Sequence, residues 1–581
     1  MSEIKQGTTG PKQIDALIVG AGFSGMYMLH KLRGLGIGAE VVEAGTGVGG
    51  TWYWNRYPGA RVDIQSLEYS FGFDPALEDE WRWSERYAPQ PELLKYANHI
   101  AERFDLTRDI RFNTRITAAH WNEDAHRWDV SSENGDAWAA RYLILATGCL
   151  SIPTDVTFPG INDFKGPIYR TSRWPRDGVD FSGQRVGIIG TGSSAIQSIP
   201  IIAEQAAHLT VFQRTPNYSM PAHNGEIPAS DMEAWAKDRR AYRAASKDTV
   251  GGFQNEPGEK LATETSLEEI KADLERRWAV GGFRILGAYI DQAIDPAANK
   301  IVHEFIAGKI REQVNDPAVA ELLTPKDHPF GTKRPCVDTG YYKTFNRPNV
   351  ELIDLRADPI ATFNAGGIAT ENRQHDFDAI VLATGFDAMT GAIDRIDLRG
   401  VNGVKIKDHW AEGPRTYLGL MVAGFPNMFT ITGPGSPSVL TNMINSIEQH
   451  VEWIAECLAS LADRQHPSIE ASPEAEAAWV LQVAMAVAPS LMPQANSWYM
   501  GANVPGKPRM FMPYAGGLNT YTEICRQVAA KGYEGFVIRQ GDRVLSDSRE
   551  FTSQPPMPEI PPSLLPIILE RLSAAGLMPA A

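Results

Sequence analysis

A glycine-rich turn between an apolar segment and a helical segment occurs twice in this 581-residue chain and constrains the fold more than any other feature. In the first copy, an apolar run typical of a buried parallel strand leads into Gly20, Gly22 and Gly25. This spacing lets a pyrophosphate approach the backbone at the N-terminus of the following helix. The next apolar run ends at Glu43, whose carboxylate would accept hydrogen bonds from ribose hydroxyls. The segment therefore predicts a dinucleotide-binding unit.

The second copy has Gly190, Gly192 and Ala195 at the same spacing, but the acidic position is occupied by Arg214 and Thr215. A carboxylate there would repel a ribose 2′-phosphate, whereas a guanidinium forms charge-assisted hydrogen bonds to it. The first unit thus predicts FAD and the second predicts NADPH, with electrons passing between them. The alternative for Arg214 is a solvated surface charge.

Two further apolar segments, 141–148 and 378–387, contain the same Ala-Thr-Gly turn. At such a turn the chain leaves one dinucleotide-binding domain and enters the neighbouring one. We therefore predict an α/β fold with two Rossmann-like domains, the NADP-binding domain being inserted within the FAD-binding domain. The predicted ranges are 1–148 and 387–545 for the FAD-binding domain, 149–217 and 333–386 for the NADP-binding domain, 218–332 for a helical insertion, and 546–581 for a C-terminal tail.

Composition excludes several classes of function. Lys and Arg number 55 against 70 Asp and Glu, a net charge of −15, which argues against a nucleic-acid or anionic-membrane partner. The four cysteines include no CxxC pair, which argues against a dithiol redox centre and favours a reducing cytoplasm. The N-terminus lacks a signal-peptide pattern, and no window reaches the roughly 18 apolar residues of a membrane span. No metal-binding spacing or hydrolase G-x-S-x-G motif occurs.

Over nearly its whole length, the chain resembles type I Baeyer–Villiger monooxygenases, a family of flavoprotein monooxygenases. Segment 164–175, FKGPIYRTSRWP, is similar to the family fingerprint F-x-G-x-x-x-H-x-x-x-W-P. The segments 49–71, 333–352, 433–454 and 497–507 match further family blocks. The Trp-Pro ending separates this class from related flavoproteins that oxygenate nitrogen or sulfur.

The chain departs from the fingerprint at Arg170, which replaces the family histidine. In the family, that histidine is thought to help link the domains while the cofactor moves. Arginine keeps a cation and its donors but does not titrate near neutral pH. We expect the replacement to affect coupling efficiency and pH response rather than reaction class. The alternative is that Arg170 simply pairs with a nearby carboxylate.

The resemblance implies a reaction in which one oxygen of O2 is inserted next to a ketone carbonyl, giving an ester or lactone through a peroxyflavin anion. It implies that Arg334, a permanent cation, stabilises this anion, and that Asp63 pairs with Arg334 and sets its position. It also implies that Lys333 holds the 2′-phosphate together with Arg214 and Thr215.

The resemblance assigns further contacts to loop residues. Trp498 belongs to a mobile segment that would act as a lid over bound NADP. For Trp52, packing alone is the alternative to a flavin contact. The assigned residues are Gly50, Thr51 and Trp52 beside the flavin, Trp498 against NADP, and Ser438, Val439 and Leu440, with 512–514, around the substrate.

Two other functions stay open at this stage. A heteroatom monooxygenase would use the same cofactors to oxygenate nitrogen or sulfur, and an NADPH oxidase would release peroxide without an organic substrate. The sequence predicts neither the ketone nor the oligomeric state. The tail begins Pro-rich and ends in a short amphipathic helix, which would pack either on the body or on a neighbouring subunit.

Overall fold

The computed structural model describes residues 10–462, 467–555 and 560–578. Residues 1–9, to which the expectation of no signal peptide refers, lie outside the described residues, as do 556–559 and 579–581 of the predicted tail. Within the described residues, no helix is both long and apolar enough to cross a lipid bilayer.

The strands of the described chain are numbered in chain order. They are β1 Lys12–Val19, β2 Ala39–Val42, β3 Ile110–Arg111, β4 Ile116–Asn122, β5 Arg127–Ser132, β6 Ala137–Leu145, β7 Ile168–Arg170, β8 Arg185–Ile189, β9 His208–Gln213, β10 Ser219–Pro221, β11 Cys336–Asp338, β12 Val350–Asp354, β13 Ile360–Asn364, β14 Gly367–Thr370, β15 Gln374–Asp376, β16 Ala379–Leu382, β17 Asp397–Arg399, β18 Met428–Thr430, β19 Ser468–Ala471, β20 Phe536–Gln540 and β21 Arg543–Asp547.

The α-helices of the described chain are numbered in the same way. They are α1 Phe23–Gly34, α2 Thr51–Trp54, α3 Pro75–Glu80, α4 Gln90–Arg103, α5 Ser193–Gln205, α6 Ala229–Lys247, α7 Leu267–Val280, α8 Pro296–Gln313, α9 Pro317–Leu323, α10 Tyr341–Thr344, α11 Ile406–His409, α12 Met443–Ala462, α13 Pro473–Val487, α14 Leu518–Ala530 and α15 Leu565–Ala574.

The first large sheet has the order β17-β4-β5-β6-β1-β2-β3, with β18 paired to β6. Its central strand β1 runs parallel to both β2 and β6. Ile18 packs on one face in a cluster with Leu29 of α1 and Val451 of α12, whereas Leu17 packs on the other face with Trp128. Because both faces of β1 are covered, the second half of the strand, residues 16–19, is continuously apolar.

The second large sheet is entirely parallel and has the order β12-β9-β8-β16-β7. One face packs on α5, where Val186 and Ile188 meet Ile199. The other face is covered by the small sheet β13-β14-β15, through a cluster that includes Phe212 and Phe363. A parallel sheet with both faces covered is the architecture that dinucleotide-binding units require.

The two sheets repeat the same backbone contact at their carboxyl edges. Gly20 has φ of +109°, and a Cβ placed on it would lie 2.6 Å from the Ala146 carbonyl oxygen. Gly190 has φ of +120°, and a Cβ placed on it would lie 2.3 Å from the Ala383 carbonyl oxygen. Each glycine therefore turns directly against the Ala-Thr-Gly end of a neighbouring strand. A Cβ on Gly25 would lie 1.9 Å from the Gly20 oxygen, so α1 packs against this turn at backbone distance.

The chain between β9 and β11 is mainly helical. Helices α8 and α9 begin with proline after Asp295 and Asp316, whose carboxylates accept hydrogen bonds from the first-turn N–H groups. Leu274 of α7 and Ile306 of α8 belong to the same buried cluster as the second sheet. These helices therefore share a core with the second sheet.

The tail helix α15 packs on the body of the same chain. Leu564 and Ile568 are buried against Leu261, with Ile294 beside them, and all four belong to a small separate cluster. Arg571 donates a hydrogen bond to the Pro489 carbonyl oxygen at 2.5 Å. Of the two expectations for the tail, the structure therefore places its described part on the body.

Candidate active site

Arg334 and Asp63 form a bidentate ion pair. The Arg334 Nε and Nη2 groups donate to the two Asp63 carboxylate oxygens at 2.6 and 2.9 Å, and Nη1 donates to the Val439 carbonyl oxygen at 2.8 Å. About a quarter of each side chain stays accessible, 25% for Arg334 and 24% for Asp63. Burial by itself lowers the pKa of Arg334, but the Asp63 carboxylate outweighs this effect and raises it. The guanidinium is therefore a cation held in a fixed orientation, on a side chain that stays partly accessible.

Residues from several elements hold Arg334 in place. The Asn217 side-chain amide donates to the Arg334 carbonyl oxygen at 3.2 Å. The Arg334 guanidinium carbon lies 5.2 Å from the centre of the Phe283 ring, within the range of a cation–π contact. Just after Arg334, β11 pairs in parallel with β10. These contacts fix both the backbone and the side chain of the arginine.

The three predicted substrate-pocket residues form a single 3₁₀ turn beside the ion pair. Ser438 and Val439 are buried and Leu440 is half-buried. The Val439 side chain packs in an apolar cluster with Met512, which belongs to the predicted 512–514 segment, and Cys149. Because the Val439 carbonyl accepts from Arg334, this turn is tied to the ion pair through its backbone.

Tyr499 is a residue near the ion pair that the sequence analysis missed. It is buried, and burial raises its pKa to about 12 although the nearby Arg334 cation opposes the shift. Its ring centre lies 4.3 Å from that of the half-buried Trp498, the residue predicted to contact NADP. The signal available in the sequence was only its adjacency to Trp498, because a lone tyrosine is more often a core residue.

The first glycine-rich turn forms a narrow cradle that fits a pyrophosphate. A Cβ on Gly50 would lie 2.9 Å from the Gly22 Cα, so only glycine fits at this approach. The buried Glu43 carboxylate accepts from the Ala21 N–H at 2.8 Å and the Gly45 N–H at 2.6 Å. Burial raises the pKa of Glu43, although both N–H groups oppose the shift. Glu43 is thereby fixed at the end of β2, where a ribose would be recognised.

The three residues predicted beside the flavin have different environments. Gly50 and Thr51 begin α2, and the Thr51 side chain is exposed. Trp52 is buried in the main core, and its indole N–H donates to the Tyr69 hydroxyl at 3.3 Å. Trp52 thus packs in the core, and its contact with the flavin stays a prediction.

The second glycine-rich turn opens next to a group of cations. A Cβ on Gly192 would meet no atom within 4 Å, which leaves room for a phosphate at the N-terminus of α5. Burial lowers the pKa of Lys333, and the charges of Arg214 and Arg356 lower it further, against the effect of Asp327. The structure therefore brings Lys333 and Arg214 together, as the resemblance implies.

Arg356 is the member of this group that the sequence analysis missed. Its guanidinium donates to the Thr215 hydroxyl at 3.4 Å and to the Asp327 carboxylate at 2.7 Å. It follows β12, which pairs with β9, the strand that leads to Arg214. The carboxyl ends of neighbouring parallel strands meet at one edge, so this cation was detectable only once the pairing of the two strands was known.

The fingerprint residues have structural positions. Phe164 and Trp174 are buried, and a Cβ on Gly166 would lie 2.6 Å from the Phe164 ring and 2.7 Å from the Asp378 carbonyl oxygen. Arg170 ends β7 and is half-buried. Its guanidinium forms neither a hydrogen bond nor an ion pair with any residue that the structure describes, so the carboxylate partner of the alternative is not found among these residues.

The chain has two dinucleotide-binding sheets that are packed on both faces, and a largely buried Arg334–Asp63 ion pair. Together these features define a pyridine-nucleotide-dependent flavoprotein. The profile of the pyridine nucleotide-disulphide oxidoreductase family matches residues 17–251. A Baeyer–Villiger monooxygenase from Pseudooceanicola batsensis is 42% identical over 530 residues, which cover 90% of this chain and 96% of the relative. The chain belongs to the Baeyer–Villiger monooxygenase family of flavoprotein monooxygenases, and the predicted enzyme class and α/β fold are confirmed.

Solved structures agree with this assignment. A steroid monooxygenase bound to NADP has a TM-score of 0.87 and 51% identity, and OTEMO in complex with FAD and NADP has a TM-score of 0.88 and 40% identity; each match covers 91% of this chain and 100% of the other. FAD and NADP, the two predicted cofactors, are thus the groups bound in these neighbours. A phenazine N-monooxygenase from Lysobacter antibioticus is also similar, with 39% identity over 90% of this chain and 97% of the relative.

Proposed function

We propose that this enzyme uses NADPH and O2 to insert one oxygen atom next to the carbonyl of a ketone, giving an ester or lactone. The observation that carries the proposal is the bidentate Arg334–Asp63 pair, which holds a permanent cation on a partly accessible side chain. A reaction that develops negative charge on oxygen in a water-poor cavity needs such a cation, because a low dielectric strengthens its effect.

The residues on both glycine-rich turns fit the two cofactors. Gly22, Gly50 and Glu43 would hold the pyrophosphate and ribose of FAD, and the open turn at Gly192 would hold the NADP pyrophosphate. Arg214, Lys333, Arg356 and Thr215 would bind the 2′-phosphate. When bound, NADPH supplies the hydride and FAD transfers the electrons that activate O2.

Arg334 would act by charge and orientation rather than by proton transfer. A guanidinium has five N–H donors, and the bonds to Asp63 and Val439 engage three of them. The remaining donors can stabilise the negatively charged oxygen species that the resemblance implies, as well as the oxyanion that forms on the ketone. Asp63 keeps the guanidinium plane fixed, so that little reorganisation is needed when charge develops. This assigns Arg334 the catalytic role and Asp63 the orienting one.

Oxygenation of a nitrogen or sulfur atom is the second candidate function. The similarity of this chain to a phenazine N-monooxygenase supports this second candidate. Heteroatom oxygenation needs an electrophilic oxygen donor, for which a fixed cation that keeps the oxygen species deprotonated is a disadvantage. The Arg334 geometry therefore favours the ketone reaction.

The test is aerobic incubation of the purified protein with FAD, NADPH and ketones of graded size, from small cyclic through aryl and long-chain to steroidal. We expect at least one ketone to give an ester or lactone heavier by one oxygen, with ¹⁸O from labelled O2 incorporated. Formation of N- or S-oxides from amine and sulfide probes, with no ester from any ketone, would select the second function. Stoichiometric peroxide release without any organic product would reject both.

A further inference from the structure

Helix α5, which begins at the second glycine-rich turn, is bonded through Gln197 to the segment that carries Asp63. Gln197 is 7% exposed, and its side-chain oxygen accepts from the Tyr57 hydroxyl at 2.8 Å and from the Arg61 N–H at 3.4 Å. Its side-chain amide donates to the Arg61 carbonyl oxygen at 3.0 Å. Gln197 thus binds both polar backbone groups of Arg61, two residues before Asp63.

The backbones of the two elements are also in direct contact. Gly59 has φ of +78°, and a Cβ on it would lie 2.2 Å from the Gln197 carbonyl oxygen. No larger residue fits there without displacing α5. The same helix presents its N-terminal N–H groups at the open turn around Gly192. Helix α5 therefore adjoins the second glycine-rich turn at its N-terminus and contacts the segment that carries Asp63 along its side.

The other partner of the ion pair is held from the same unit. Asn217 lies two residues beyond Thr215, which contacts the cation Arg356, and its amide donates to the Arg334 carbonyl oxygen at 3.2 Å. Arg334, and Arg61 two residues before Asp63, are thus bonded at their backbones to residues that adjoin the candidate NADP site. A movement of α5 or of the chain after β9 would be transmitted to the pair through these hydrogen bonds.

We propose that Gln197 is a positioning residue that couples NADP binding at α5 to the orientation of Asp63 and hence of Arg334. This inference rests on the proposed function for its catalytic consequence. Gln197 contacts Tyr57 and the backbone of Arg61, all in the segment before Asp63, so its effect on the reaction passes through the aspartate. Loss of Gln197 should therefore leave hydride delivery intact while the active-site cation loses its fixed orientation.

The test compares Gln197→Leu with Gln205→Leu, a matched control on the same helix. Gln205 is exposed, and its side chain accepts from the Phe181 N–H, away from the ion pair. The first readout is hydrogen–deuterium exchange of peptides spanning 57–65, with and without NADP+. We expect NADP+ to slow this exchange in the wild type and in Gln205→Leu, but to have little effect in Gln197→Leu.

The second readout separates coupling from cofactor binding. In Gln197→Leu we expect the KM for NADPH to stay within about threefold of wild type, while ester formed per NADPH falls about fivefold or more and peroxide rises in compensation. Tyr57→Phe, which removes one hydroxyl, should give a smaller change in the same direction and serves if Gln197→Leu does not fold.

The proposal is overturned if NADP+ slows the exchange of 57–65 in Gln197→Leu as it does in the wild type and the ester formed per NADPH is unchanged. Equal losses of both effects in Gln205→Leu, or a parallel loss of NADPH affinity in Gln197→Leu, would also overturn it. If the wild type forms no ester from any ketone, the proposed function fails on that result. The exchange measurement still reads the coupling of α5 to the 57–65 segment in that case.

Discussion

Arg334 and Asp63 lie 271 residues apart in the chain, yet the guanidinium and carboxylate meet through two hydrogen bonds. Asp63 lies in the segment that follows the first glycine-rich turn, whereas Arg334 follows the helical region that is inserted after β9. The candidate active site is therefore formed only when the two halves of the chain pack together.

Replacing Arg334 with alanine should abolish oxygen insertion but not NADPH oxidation. We expect ester formation to fall by about 100-fold or more, the usual effect of losing a donor that stabilises a developing oxyanion. Consumption of NADPH should continue with release of peroxide. Arg334→Lys should be intermediate, because an ammonium keeps the charge but cannot pair with Asp63 in two places. The exposed Arg526, which pairs with Glu523, gives a control variant, Arg526→Ala. Ester formation by Arg334→Ala at the wild-type rate would contradict the proposed mechanism.

Replacing Arg214 with alanine should weaken binding of NADPH much more than that of NADH. Losing a charge-assisted hydrogen bond to the 2′-phosphate should raise the KM for NADPH about 10- to 100-fold, while the KM for NADH changes less than about threefold. Arg356→Ala should have a smaller effect, because Arg356 is half-exposed and paired with Asp327. Steady-state kinetics with both cofactors provides the measurement. Equal losses for the two cofactors would mean that Arg214 does not contact the 2′-phosphate.

NADPH affinity should decrease as the pH rises, through deprotonation of Lys333. Burial lowers the pKa of Lys333, so this lysine loses its proton at a lower pH than an exposed lysine and then no longer attracts the phosphate. Dissociation constants measured from about pH 7 to about pH 10 should rise more steeply for the wild type than for Lys333→Arg, whose guanidinium does not titrate in this range. Identical pH profiles would remove Lys333 from the phosphate site.

Two glycines of α1 provide a matched test of the first turn. Gly25→Ala should destabilise the protein by about 2–3 kcal/mol, because its Cβ would lie 1.9 Å from the Gly20 carbonyl oxygen and force the helix off the strand. Gly34→Ala should be neutral or slightly stabilising, because a Cβ there meets no atom within 4 Å and alanine favours the helix. Thermal unfolding of both variants, with FAD content measured by absorbance, checks the prediction. A similar melting temperature for the two variants would contradict it.

Local sequence patterns predicted much of what lies within each dinucleotide-binding unit. Strands β1, β8 and β16 each contain a short apolar run, because other elements pack on both faces of the sheet. Continuous hydrophobicity therefore identified these runs as buried parallel strands. The roles of Gly20 and Gly25 followed from spacing alone, because a strand, a tight turn and a helix leave few positions where a Cβ fits. The burial of Trp52 against Tyr69 did not follow from such a pattern, because it depends on the packing of the main core.

By itself, the sequence determined that the chain contains two dinucleotide-binding units, and it predicted opposite preferences at the ribose, since the residues concerned lie close to one another along the chain within each unit. Only the tertiary structure decided which distant groups meet: Arg356 beside Thr215, Tyr499 beside Arg334, and Gln197 on the backbone of Arg61. Such contacts depend on the pairing of distant strands and on the packing of one sheet system against the other. No local propensity encodes that geometry, because it is fixed by the burial of surfaces contributed by remote parts of the chain.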